Sequence, residues 1–230
     1  MPQIAAGSED RDGCIVRWIL YDIGGVLEIV DDHSWPQQLE HSWASGLGMD
    51  VAAMRARLDA ADLPDTAVRA GVAEEYWQKF GAALELADED VAAMRAQLWD
   101  AYCGTGNTEL IEHARSLRGR AGLAILSNSG DGAREEEERR FGFASIFDPI
   151  CYSHELGVAK PDPRAYRAAL AQMGASPEQV LFIDDNEAPL RGAIACGIRA
   201  IRHRDNAATI AAIERFLTDR MFTIPKKSPC

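Results

Sequence analysis

The chain has 230 residues, 47% apolar and 26% charged, ordinary proportions for a globular protein large enough to bury a sizeable core. Its 36 acidic residues outnumber 24 basic ones for a net charge of −12, which excludes the basic surface that nucleic acid or an anionic membrane requires. The balance still admits an anionic small molecule, because one Lys and a few backbone N–H groups can hold a phosphate inside an acidic protein.

Residues 1–13 carry Gly, Ser and several charges and read as a loose tail. Residues 15–21 then form a short apolar run ending in Trp18-Ile19-Leu20-Tyr21, the pattern of a buried parallel strand. Asp22 follows at once, then Ile23, Gly24 and Gly25. A carboxylate there sits where open α/β sheets collect ligands, although an Asp that starts a turn before the glycines has the same pattern. Residues 26–30 suit a short hairpin arm, and residues 31–35 are polar and turn-like.

From residue 37 to 102 the pattern changes to Ala, Leu, Met, Arg and Glu, all good helix formers. Residues 50–56 recur unchanged as residues 90–96, each copy opening on an Asp that suits an N-cap, with Val and Met at helical spacing. Another helix is predicted over 72–86, where Tyr76, Trp77 and Phe80 form an apolar stripe. The whole segment reads as a helical bundle inserted after the first strand.

An α/β rhythm starts at Thr108. It predicts a helix over 109–117, a strand over 122–126 ending on Ser127-Asn128, a solvated charged helix over 134–140 and a strand over 147–152. Lys160-Pro161-Asp162-Pro163 leads into a helix to Met173, stopped by Gly174. A strand over 180–183 ends on Asp184-Asp185; a helix over 187–196, a strand over 198–201 and a helix over 207–217 follow. The fold class is therefore α/β, a mostly parallel Rossmann-like sheet with helices on both faces plus an inserted α-helical segment. The domains are a core (14–30 and 106–220), a helical insertion (31–105) and tails at 1–13 and 221–230. No apolar run has signal-peptide or membrane-span length. The five cysteines show no metal-ligand spacing and read as free thiols of a reducing cytoplasm, with Cys103 and Cys151 as small buried hydrophobes rather than reactive groups.

Four strand ends carry polar chemistry: Asp22, Ser127-Asn128, the loop with Lys160, and Asp184-Asp185. In a parallel sheet they share one rim. Three carboxylates beside one Lys make a costly negative pocket unless a cation joins them, and an oxygen-only ligand set that handles phosphate suggests Mg²⁺. The residues alone point to Mg²⁺-assisted phosphoryl chemistry with Asp22 as nucleophile.

These four motifs, in this order, resemble those of the haloacid dehalogenase (HAD) superfamily, in the branch whose helical cap is inserted just after the first motif. The resemblance runs from Ile15 to about Leu217. It implies that Asp22 forms an aspartyl-phosphate, that Ser127 and the N–H of Asn128 hold phosphoryl oxygens, and that Lys160 offsets charge between Asp22 and the phosphoryl group. It further implies that Asp184 and Asp185, with Asp22 and the carbonyl of Gly24, serve Mg²⁺, and that residues 24–30 form a flap beneath the cap. The expected partner is a small phosphorylated substrate, such as a sugar phosphate or a nucleotide-like compound.

The chain departs from the family's phosphatases at Gly24, where most carry a second Asp that protonates the leaving group. Either the leaving group needs little protonation, as with an anomeric sugar phosphate or an acyl phosphate, or Asp31, His33 or the substrate supplies the proton. Alternatively the protein binds a phosphorylated ligand or a partner without turnover. The similar 2-haloacid dehalogenases also lack the second Asp and act without metal, a use for which Asp184-Asp185 is poorly suited. Trp35, His41, Trp43, Tyr76 and Trp77 are the candidates in the helical insertion for lining the site.

Overall fold

The computed structural model describes residues 16–29 and 34–219. Both expected tails, the start of the first strand at residue 15, and Asp31 and His33 lie outside the described residues. The strands are β1 (Trp18–Tyr21), β2 (Glu28–Ile29), β3 (Thr105–Gly106), β4 (Gly122–Ser127), β5 (Ile150–Tyr152), β6 (Val180–Asp184) and β7 (Arg199–Arg202). Five of them form a parallel sheet in the order β5-β4-β1-β6-β7.

Side-chain alternation explains why three central strands read as continuous apolar runs. Ile19, Tyr21, Leu123, Ile125, Leu181 and Ile183 point into one core. Leu20, Ala124, Leu126, Val180 and Phe182 point into the other. Both faces are covered, so neither can be polar. Helices α5 (Thr108–Ser116), α6 (Ala133–Phe141) and α10 (Asn206–Thr218) supply residues to the first core. A short helix α7 (Ser153–Leu156) follows β5, and α8 (Pro163–Met173) and α9 (Glu187–Ala195) supply the second core. Helix α8 has the expected ends: the Asp162 carboxylate accepts from Arg164 N, Pro163 lies in the first turn, and Gly174 closes it at φ 61°.

Between β2 and β3 lie α1 (Trp35–Gly46), α2 (Val51–Ala60), α3 (Ala73–Leu84) and α4 (Asp88–Cys103). They pack around a separate cluster of Ala44, Met54, Trp77, Phe80, Leu84 and Met94. The two copies of the repeated heptapeptide put Met54 and Met94 into this same cluster. Asp50 caps α2 as expected, its carboxylate accepting from Ala53 N at 2.7 Å. Asp90 does not cap α4, which begins at Asp88 with Ala87 as the cap residue. Three successive acidic residues then fill the first turn, where the helix dipole favours them.

Three further expectations need correction. The strand predicted over 147–152 covers Ile150–Tyr152 alone. Phe147 instead packs into the core against Tyr21 and Phe143, and Pro149 has no N–H to add to a ladder. The arm predicted over 26–30 is not a local hairpin, because β2 pairs antiparallel with β3 at the far end of the helical segment. The charged helix α6 is not wholly solvated: Glu137 is fully buried and accepts a hydrogen bond from Tyr152 OH, while its Oε1 has no partner among the described residues. Burial, with a smaller contribution from Asp22, pushes Glu137 from 4.5 up to about 8, against the Tyr152 hydrogen bond and Arg134. Cys103 and Cys151 are buried free thiols, and burial pushes both up, Cys151 to about 12, which leaves them unreactive.

Because the folded pKa of Glu137 is raised, the native state holds a proton that the unfolded chain releases as pH rises from about 4.5 to about 8. Stability therefore falls across that interval, by at most about 1.4 kcal/mol per pH unit for one group. Glu137→Gln keeps the acceptor for Tyr152 and removes this slope. Its melting temperature relative to the natural protein is expected to rise between pH 5 and pH 8; parallel melting curves over that range would contradict the assignment.

Candidate active site

The register of the sheet assembles the site. Tyr21 pairs with Ile125 on one side and with Ile183 on the other, so the next residues, Asp22 and Asp184, lie side by side at the rim. From β1 the chain goes to β4 and β5 on one side and then crosses from β5 to β6 on the other, so the strand order reverses beside β1, the point where an open α/β sheet forms a crevice. Asp22 N donates to Ile183 O at 2.9 Å and locks the two strand ends together.

Lys160 reaches into this crevice from the loop before α8. Its Nζ lies 2.8 Å from Asp22 Oδ1 and 2.8 Å from Asp184 Oδ2. Asn128 holds the lysine in place from both sides of its backbone: Nδ2 donates to Lys160 O at 2.8 Å, and Oδ1 accepts from Lys160 N at 2.7 Å. Asp184 Oδ1 accepts from Asn186 N at 2.8 Å. The Lys160 and Asp184 side chains are 2% and 0% exposed, whereas Asp22 keeps 14%. Asp22 is thus the member of the trio that a ligand can reach. Burial pushes its carboxyl up to about 7, with Asp184 adding to the rise and Lys160 and the Ile23 N–H opposing it.

Carboxylate oxygens of Asp22, Asp184 and Asp185 lie within 4.8 Å of one another. Three hard oxygen donors at that spacing fit Mg²⁺. The backbone beside them is shaped to match: Gly25 has φ +74°, and a Cβ there would lie 2.5 Å from Asp185 Oδ2. At Gly24 a Cβ would meet nothing within 4 Å.

A cavity of about 300 Å³ opens over these groups. Asp22, Gly24, Asn128, Lys160, Asp184 and Asp185, all singled out from the sequence, line it. Ser127 ends β4 at 2% exposure, its Oγ 3.4 Å from Asn128 O, and is not among the lining residues. Of the five candidates in the helical segment, Trp35 alone lines the cavity. His41 is bonded to Gln37 O on an exposed face, Trp43 donates to Gln97, and Tyr76 and Trp77 pack with Phe80.

Sequence reasoning missed Glu28 and Tyr102, which also line the cavity. Glu28 is 1% exposed and its Oε1 has no hydrogen-bond partner among the described residues. Burial pushes its carboxyl from 4.5 up to about 10, with Glu137 and Asp22 adding and Arg140 opposing. The signal for both residues was topological. An inserted segment must leave and re-enter the core at neighbouring points, and Glu28 and Trp35 sit near its entrance as Tyr102 sits at its exit.

The fold and this lysine–carboxylate cluster together define an α/β protein with an acidic site at the carboxyl ends of its parallel strands. The family model of haloacid dehalogenase-like hydrolases matches residues 16–197, and the chain belongs to that family. It is 36% identical over 89 residues to phosphoserine phosphatase of Thermus thermophilus, a match that covers 38% of this chain and spans about a third (36%) of the relative's length. It is 26% identical over 190 residues to (S)-2-haloacid dehalogenase 1 of a Pseudomonas species, covering 79% of this chain and 74% of that protein. Its fold is similar to that of a HAD family enzyme from Bacteroides thetaiotaomicron solved with magnesium and inorganic phosphate, with TM-score 0.62 and 18% identity over 85% of this chain and 98% of the other.

Gly25→Ala tests the carboxylate cradle. The added methyl must displace Asp185, so Mg²⁺ affinity measured by titration calorimetry is expected to fall roughly 10- to 100-fold, the usual effect of disturbing a ligand's support. Unchanged Mg²⁺ binding would show that Asp185 takes no part.

Proposed function

We propose that this protein is a cytoplasmic, Mg²⁺-dependent phosphatase of small phosphorylated metabolites, acting through an aspartyl-phosphate on Asp22. The observation that carries this reading is the accessible Asp22 held 2.8 Å from a buried Lys160 that is itself held by Asp184. Helical residues 31–105 act as a cap, and residues 24–30 as the flap beneath it.

Asp22 attacks phosphorus in line, and the leaving oxygen departs on the opposite side with the bond's electron pair. Lys160 opposes the rise that burial imposes on the Asp22 carboxyl and offsets the charge gathered as nucleophile and phosphoryl group approach. The Asn128 N–H holds a phosphoryl oxygen, and Ser127 Oγ would join it only by turning away from Asn128 O. Water then attacks phosphorus, the Asp22–phosphorus bond breaks, and Asp22 is regenerated. Asp22, Asp184, Asp185 and the carbonyl of Gly24 would hold Mg²⁺, which when bound neutralises phosphoryl charge. Such transfer depends mainly on positioning and charge neutralisation.

The dehalogenase alternative has a long relative in its favour. Against it stands the triad of carboxylates, which a metal-free attack on a halogen-bearing carbon does not use and which repels a haloacid's own carboxylate. A binding protein without turnover has no use for an accessible carboxylate primed by a buried lysine.

A phosphate-release screen over sugar, nucleotide and acyl phosphates, with and without Mg²⁺, tests the reading. Release should require Mg²⁺, and Asp22→Asn should lower it by about 10³-fold or more. Halide release from 2-haloacids without metal, and no phosphate release, would establish the alternative. Gly24→Asp adds a side chain into open space where a general acid is expected in this family. It should speed hydrolysis of unactivated alkyl phosphates by about 10²-fold and leave acyl phosphates little changed; an equal effect on both would refute the missing-acid account.

A further inference from the structure

In an in-line attack by Asp22 the leaving oxygen gathers negative charge within the cavity, and Gly24 offers it no side chain. A side chain that meets this charge must line the cavity and carry a hydrogen to donate. Among the described lining residues most are committed elsewhere. Lys160 is bonded to Asp22 and Asp184. Both ends of the Asn128 amide are bonded to the backbone of Lys160. Asn186 is exposed and follows directly on the carboxylates Asp184 and Asp185, its side-chain oxygen accepting from Ala188 N. Glu28 is almost closed to access. Trp35 and Tyr102 are left, and of an indole N–H and a phenol O–H the phenol is the more acidic donor.

The hydroxyl of Tyr102 is both open and fixed. It pairs with no described residue, and it is not one of the buried polar atoms left without a partner, so it faces the space that Tyr102 lines. The ring is held edge to face from two sides, by Trp35 with centroids 6.3 Å apart and by Trp99 at 5.3 Å. Trp99 is itself buried, and its ring lies so close over Gly132 that a Cβ there would come within 2.9 Å of it. A tyrosine oxygen lies on the axis of its ring, so a ring that cannot tilt holds the oxygen still. Burial, with Glu137, Glu28 and Asp22 adding to it, pushes the phenol well above its ordinary range, so the proton stays on oxygen at neutral pH. A donor fixed before the reaction starts costs no reorganisation as charge develops.

We propose that Tyr102 donates a hydrogen bond to the leaving oxygen as its bond to phosphorus breaks, and so supplies part of what position 24 lacks. The phenol proton is not transferred; it stabilises the electron pair that the leaving oxygen takes with it. The proposal rests on the phosphatase reading above and deepens it by naming a further residue that touches the reacting atoms. It also gives the exit of the helical segment a chemical part. Tyr102 lies in the last turn of α4, and that turn packs with the core of the sheet rather than with the cluster inside the helical segment.

The test is Tyr102→Phe, which keeps the ring and both edge-to-face contacts and removes one unpaired hydroxyl, so its melting temperature should match the natural protein's. Phosphorylation of Asp22 is timed in single turnovers with Mg²⁺ on acetyl phosphate, p-nitrophenyl phosphate and phenyl phosphate, whose leaving oxygens are increasingly basic. The variant should lose about 10²-fold on phenyl phosphate, roughly tenfold on p-nitrophenyl phosphate and under about threefold on acetyl phosphate, with little change in substrate affinity. Retained speed on acetyl phosphate also shows that the site is intact. An equal loss on all three probes, or none on any, overturns the proposal and leaves the phosphatase reading standing. So does the same graded loss in Asp31→Asn or His33→Gln with Tyr102→Phe unaffected. No phosphate release from any probe by the natural protein overturns the phosphatase reading as well.

Discussion

Lys160 Nζ lies midway between two carboxylates, 2.8 Å from Asp22 Oδ1 and 2.8 Å from Asp184 Oδ2, in a place almost closed to water. Three carboxylates whose oxygens share a 4.8 Å neighbourhood repel one another strongly, and burial sharpens that repulsion. The ammonium makes the cluster tolerable, and removing it would leave uncompensated buried charge, typically a loss of about 3–5 kcal/mol. Much of the surrounding structure serves to keep it there. Asn128 bonds both the N–H and the C=O of Lys160, and the Phe182 ring lies 5.3 Å from Nζ. The sheet register then brings Asp22 level with Asp184.

Over this cluster the helical segment is anchored at several points. The Asp131 carboxylate accepts from the N–H groups of Val72 and Ala73 at 2.6 and 2.7 Å, and Asp131 N donates to Thr66 O at 2.9 Å. Ser153 Oγ donates to Ala67 O at 2.7 Å, and Arg140 pairs with Asp100 at 2.6 Å. At the base, β2 and β3 zip the two ends of the segment together. This geometry explains why residues far apart in the chain, Glu28, Trp35 and Tyr102, line one cavity with Asp22.

The motifs at the rim were legible in the sequence because each follows an apolar run. Asp22, Ser127 and Asp184 end strands whose two faces are both buried, and such strands announce themselves by composition. Lys160 was legible through its place before Pro161 and the capped start of α8. What stayed hidden depends on distant partners. Glu137 falls in a helix that reads as solvated and Glu28 carries no local signal at all, and only packing against elements far along the chain buries them. The pairing of β2 with β3 spans the entire helical segment, so no local turn signals it. The aromatic candidates of the insertion could not be divided by pattern, since Trp77 facing the bundle core and Trp35 facing the cavity both belong to amphipathic helices.

The central claim, that the lysine-held Asp22 accepts the phosphoryl group, is tested most directly by a single-turnover reaction quenched in acid and followed by mass analysis of the peptide containing Asp22. The account predicts a transient gain of one phosphoryl group on Asp22, with oxygen from labelled water appearing in the released phosphate and none in the Asp22 side chain. Phosphate release with no adduct on Asp22, or labelled oxygen entering the Asp22 carboxyl, would contradict it.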